Sequence, residues 1–142
     1  MAFKINDMHL KLSGHSQLKI AISRFSVRAE SNIALAFTAP IFWRVARTPN
    51  ELQDVEAIRL AIDQFENNLI IAEEILAVRD YLACEHFSLA DIQFGHVLYR
   101  YYDIDIKRKS LPHIEAYYKR ILNRPAYREH VAISYDELKP AK

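Results

Sequence analysis

The chain has 142 residues, 51% of them hydrophobic, with two glycines and five prolines, which suits a single all-α domain around one core and argues against a β-rich or disordered chain. Nineteen basic against 18 acidic residues leave a net charge of +1, so nothing electrostatic points to nucleic acid or to an anionic membrane. A single cysteine, Cys84, excludes an intramolecular disulfide and a cysteine-cluster zinc site; with no basic-then-apolar leader and no uncharged run long enough to span a bilayer, a cytoplasmic protein is expected.

The first stretch, residues 1–15, carries Phe3, Ile5, Met8, Leu10 and Leu12 around Asn6-Asp7, a pattern open to a small hairpin or an extended arm. Gly14 breaks the chain. From Ser16 the apolar positions Leu18, Ile22, Phe25, Ala29, Ile33 and Phe37 recur every three or four residues, a helix period. Pro40 should kink or restart that helix, and the apolar run Ile41-Phe42-Trp43 with Val45 and Ala46 should be largely buried. Thr48-Pro49-Asn50-Glu51 has the form of a capping box, with Thr48 as N-cap, Pro49 at the first helical position and Glu51 three after the cap. The helix expected to follow has a seam of Val55, Ile58, Ile62, Phe65, Leu69, Ala72 and Leu76, and its few heptads fit a bundle better than a coiled coil.

Residues 80–86 link this helix to a central one that starts at Phe87-Ser88-Leu89-Ala90-Asp91-Ile92 and should run to about Tyr102. Ser88 reads as the N-cap, Asp91 as the acid of a capping box worth about 0.5–2 kcal/mol, and Phe87 as one half of a hydrophobic staple on Ile92. That spacing accounts for Asp91 as a structural residue; the competing reading is a catalytic acid. Gly95, in mid-helix, predicts another backbone passing close by. Residues 103–110 form a polar connector, and Leu111-Pro112 opens a helix carrying Ile114, Tyr117 and Ile121 that ends before Pro125. A last short helix reaches Val131, the domain is expected to span 16–134, and residues 135–142 look like a tail.

Little in this pattern asks for chemistry. The six histidines show no ligand spacing, so no metal is expected. Lys107-Arg108-Lys109 reads as a solvated connector rather than a phosphate site, Tyr99, Tyr101, Tyr102, Tyr117 and Tyr118 as core and rim, and Cys84, with Glu85 beside it, as an inert thiol.

Pro40-Ile41-Phe42-Trp43-Arg44, Arg47-Thr48-Pro49, Tyr81-Leu82, the Ser88-Leu89-Ala90-Asp91-Ile92 string, Leu111-Pro112 and Arg124-Pro125-Ala126-Tyr127 resemble, in order, the C-terminal helical domain of bacterial glutathione S-transferases. The likeness covers roughly residues 16–131, with the capping-box string as its strongest marker. It implies an all-helical bundle that normally follows a thioredoxin-like domain, and it is that other domain which holds glutathione and stabilises its thiolate. No catalytic or cofactor-binding residue is therefore carried over to this chain, and glutathione is expected only if a thioredoxin-like partner supplies the site. The resemblance places Phe37, Phe42, Trp43 and Arg47 beside an apolar-substrate pocket, with core packing as the plainer reading of the same residues. Three functions stay open: a non-catalytic binding or oligomerisation module, a separated half of a transferase that is active only with a thioredoxin-like partner chain, and a small apolar-ligand carrier. A homodimer is expected, through the apolar face around Phe37, Phe42 and Trp43 together with the N-terminal arm.

Overall fold

The first helix does not restart at Pro40 but changes there to a π-helical winding. In the computed structural model, which describes residues 33–140, the chain runs as one helical rod through α1 (Leu35–Phe37), a π-helical segment (Thr38–Trp43) and α2 (Arg44–Ala46). Pro40 lacks an N–H and its ring crowds the carbonyl four residues back, and the wider π winding accommodates both while Phe37, Thr38, Trp43 and Arg44 at the junctions stay right-handed helical. The expected arm over 1–15 and the helix through residue 32 lie outside the described residues.

The capping box expected at Thr48 does not form. Pro49 is extended, with φ −52° and ψ 142°, and Asn50–Leu52 make a short 3-10 turn that includes Glu51. The Gln53 side chain holds this loop by donating to the carbonyls of Val45 (3.2 Å) and Thr48 (2.9 Å) and to Asn50 Oδ1 (3.2 Å). Helix α3 (Val55–Leu76) therefore starts later than predicted, and its cap is Asp54, whose Oδ1 accepts from Ala57 N–H at 3.0 Å. Its seam starts at Ile58, since Val55 is exposed, and continues through Ile62, Phe65, Leu69, Ala72 and Leu76, with Glu66 buried beside it.

Helix α4 (Leu89–Asp103) is the inner element, burying Ala90, Asp91, Phe94, Gly95, Val97, Leu98 and Tyr101. Its capping box forms as read from the sequence. Phe87 sets its ring edge-on to Tyr81, 6.0 Å between centroids, and under the Arg124 guanidinium at 4.0 Å, while its predicted staple partner Ile92 is exposed. Gly95 faces a ring rather than a backbone. A Cβ there would lie 2.7 Å from Tyr127 Cε2 and 2.9 Å from Ile121 Cδ1, and the Tyr127 hydroxyl donates to the Gly95 carbonyl at 2.6 Å. Only a residue without a side chain lets the ring sit this close to the helix.

The connector after α4 is less solvated than its composition suggests. Ile104 is buried, and Arg108 turns back to donate to the carbonyls of Tyr101 (2.8 Å), Ile106 (3.0 Å) and Ile104. Helix α5 (Pro112–Leu122) packs on α3 and α4, and its first N–H groups are capped from α3: Glu73 accepts from His113 at 3.0 Å and from Ile114 at 2.8 Å. Helix α6 (Pro125–His130) brings Tyr127 onto α4. The predicted tail is docked through Tyr135, which is 6% exposed, packs 5.0 Å from the Phe42 ring, and donates its hydroxyl to Asp103 Oδ2 at 2.5 Å. The described residues contain helices and turns and no strand, so the fold is all-α.

Candidate functional site

Two buried carboxylates organise the interior. Asp91, fully buried at the first turn of α4, accepts four hydrogen bonds: Oδ2 from the Ser88 N–H and hydroxyl, both at 2.8 Å, and Oδ1 from Leu82 N–H at 3.1 Å and the Tyr117 hydroxyl at 3.0 Å. It thus ties the α4 start, the preceding loop and α5 together, with no valence left for a substrate proton. Glu66 is 2% exposed in the middle of α3; its Oε1 accepts from the Tyr101 hydroxyl at 2.7 Å and from Lys109 N–H at 2.8 Å. Sequence reading missed this residue, although an acid flanked by Phe65 and Leu69 on the buried side of a helix is a detectable signal.

The tyrosines follow the same logic. Tyr101, Tyr117, Tyr127 and Tyr135 each give their single hydroxyl proton to an internal acceptor, namely Glu66, Asp91, the Gly95 carbonyl and Asp103. Burial, reinforced at Tyr101, Tyr117 and Tyr135 by the carboxylates they bond, pushes these hydroxyls well above their ordinary acidity range, and burial, with Tyr99 and Asp103 nearby adding to it, pushes Tyr118 up to about 12.

Of the four residues expected beside an apolar-substrate pocket, two are core. Phe37 and Phe42 are 1% and 2% exposed; Phe37 packs on Phe65 (5.1 Å) and Tyr101 (6.2 Å), and Phe42 on Trp43 (5.4 Å) and Tyr135. Trp43 is half-buried, and the exposed Arg47 lays its guanidinium 3.7 Å over the indole. Both phenylalanines thus lie in the core, and of the four only Trp43 and Arg47 face outward. The two phenylalanines of the apolar face predicted for a dimer are closed within the chain, Phe37 by Phe65 and Tyr101 and Phe42 by the docked Tyr135.

Two pockets open elsewhere. One, of about 490 Å³, lies between the first half of α3 and the 104–109 connector with Glu66 in its lining; the other, of about 840 Å³, is walled by the 48–53 loop, Asp103, Ile104 and Tyr135. Thr48 and Glu51 line this second pocket instead of capping a helix. Among the described residues no helix is long and apolar enough to cross a membrane, and no group of three histidine, cysteine or acidic side chains is placed to hold a metal.

The family model described as "Glutathione S-transferase, C-terminal domain" matches residues 32–125. A Schizosaccharomyces pombe protein named as a glutathione S-transferase is 42% identical over 66 residues, covering 44% of this chain and 28% of that protein. Among solved structures, the theta class glutathione S-transferase from the citrus canker pathogen Xanthomonas axonopodis pv. citri is similar in both its glutathione-bound and apo forms. The TM-scores are 0.78 and 0.79 at 32% identity, over 82% of this chain. The chain spans 56% and 62% of those two chains, and so falls well short of the length of the relatives it resembles.

Proposed function

Because the chain belongs to the glutathione S-transferase C-terminal domain family, we propose that it is the non-catalytic, helical half of such a transferase: a binding module that serves a thioredoxin-like half, on the same polypeptide or another, which holds the glutathione. One observation carries this reading. A group that activates the glutathione thiol must donate to its sulfur, and the tyrosines best placed by rigidity to do so already donate inward, with burial holding them protonated. Cys84 likewise points its thiol at the His86 carbonyl, 3.0 Å away. The half-buried Trp43 with Arg47 stacked on it supports a share in an apolar-substrate wall whose other side the thioredoxin-like half supplies. A cytoplasmic setting is part of the same proposal.

The test is conjugation of glutathione to a generic aromatic electrophile by the purified 142-residue chain. No turnover and no retention on glutathione resin are expected. Clear turnover that survives repurification would overturn the reading.

A second reading, oligomerisation, has its own support on α3. Leu60 and Ile71 are exposed, 49% and 47%, and their spacing of eleven residues puts them on one side of the helix, away from the core seam. A homodimer would bury this stripe against its copy across a two-fold axis. Sedimentation at micromolar concentration should give a dimer that Leu60→Glu with Ile71→Glu converts to a folded monomer; a monomeric parent chain ends this version of the proposal.

A further inference from the structure

The pocket of about 490 Å³ beside α3 is not used by either reading. Val55, Ile58, Ile62 and Ile106 give it an apolar wall, and Glu66 stands in its lining. Glu66 Oε1 is fully engaged by the Tyr101 hydroxyl and Lys109 N–H. Among the described residues its Oε2 has only the Lys109 ammonium, at 3.7 Å, and the same ammonium is 3.9 Å from Asp63 Oδ1. Strong charge-assisted hydrogen bonds are about 2.7–2.9 Å long, so Lys109 hovers between two carboxylate oxygens and is bonded to neither.

The two signs of charge differ in mobility. Glu66 is 2% exposed and anchored twice, so its charge stays in the pocket; the Lys109 side chain is half exposed and free to swing out. The remaining cations offer an anion little. Arg108 is spent on three main-chain carbonyls, Arg59 is held between Glu56 and Asp63, and Lys107 shares the lining with Asp105, a further carboxylate of the connector. The charge that cannot leave sets the sign of the ligand, since a buried carboxylate oxygen without a full partner is costly.

We propose that this pocket binds a small primary amine with an apolar body. The ligand ammonium takes the place of Lys109 Nζ and donates to Glu66 Oε2 and Asp63 Oδ1, while its hydrocarbon lies on Val55, Ile58, Ile62 and Ile106. Lys109 is a resident competitor for the site. Binding here is independent of the conjugation assay, so failure of one leaves the other standing.

Calorimetric titration with phenylbutylamine, and with phenylbutyrate as the same body bearing the opposite charge, tests this. The amine should bind and the acid should not. Lys109→Ala should tighten the amine severalfold by removing the competitor, and Asp63→Asn and Glu66→Gln should weaken it, the latter by about tenfold or more. Should Glu66→Gln fail to fold, Lys109→Ala and Asp63→Asn, both at partly exposed positions, decide the matter. An acid that binds as well as the amine, or a Lys109→Ala variant that binds the amine no better than the parent, overturns the proposal.

Discussion

Asp91→Ala should cost about 3–5 kcal/mol, more than any single helix cap is worth. The cap alone accounts for about 1 kcal/mol, through the Ser88 N–H that loses its acceptor. The larger part comes from the other carboxylate oxygen. Leu82 and Tyr117 are 3% and 1% exposed, and both donate to Oδ1, so truncation leaves a main-chain N–H and a phenol hydroxyl buried with nothing to bond. Each such orphan costs about 1–3 kcal/mol. Relief from burying a carboxylate offsets part of the sum, which keeps the estimate below the simple total. Against a domain stability of about 5–15 kcal/mol the variant should sit near its unfolding threshold, with a strongly lowered urea midpoint. Parent-like unfolding of Asp91→Ala would sink this account, and loss of an activity with stability unchanged would restore the catalytic-acid reading.

What could be read in advance was local. Ser88 and Asp91 lie three residues apart, so their reciprocal bonding is written in the chain, as is the 3.6-residue period of α3. The failures have two sources. At Thr48 two local signals competed, and the Gln53 side chain, bridging Val45, Thr48 and Asn50, settled the loop in favour of Asp54. The rest were long-range. Tyr117 reaches Asp91, Tyr101 and Lys109 reach Glu66, Glu73 caps α5, and Tyr135 closes over Phe42, all across separations that no spacing rule covers. Those same contacts decide the candidate site: they move Phe37 and Phe42 into the core and commit the tyrosine hydroxyls, leaving Trp43 and Arg47 as the outward-facing part of the expected pocket.

Stability should fall steeply above about pH 10, and the buried tyrosines drive the fall, the three innermost among them. In the unfolded chain Tyr101, Tyr117 and Tyr127 lose their protons around the ordinary phenol value of 10.0. In the fold burial comes first, with bonds to Glu66 at Tyr101 and to Asp91 at Tyr117, and both effects oppose ionisation and raise the folded value. Below about pH 10 both states hold these protons, so the groups add no pH dependence. Above it the unfolded chain releases protons that the native state keeps, and stability drops as pH rises, until the folded values are reached. Each tyrosine contributes at most about 1.4 kcal/mol per pH unit, so the three together remove up to about 4 kcal/mol per unit, enough to unfold the domain within about two units. Urea midpoints followed from about pH 9 to pH 11 should show this fall, with phenolate absorbance of the core tyrosines rising together with loss of helical circular dichroism in one step. Tyr127→Phe, which gives up the bond to the Gly95 carbonyl, should lower the slope by up to about 1.4 kcal/mol per pH unit. If all eight tyrosines of the chain titrate near their ordinary value while the helices remain intact, the buried hydroxyls are reachable by water and this account of the core is wrong.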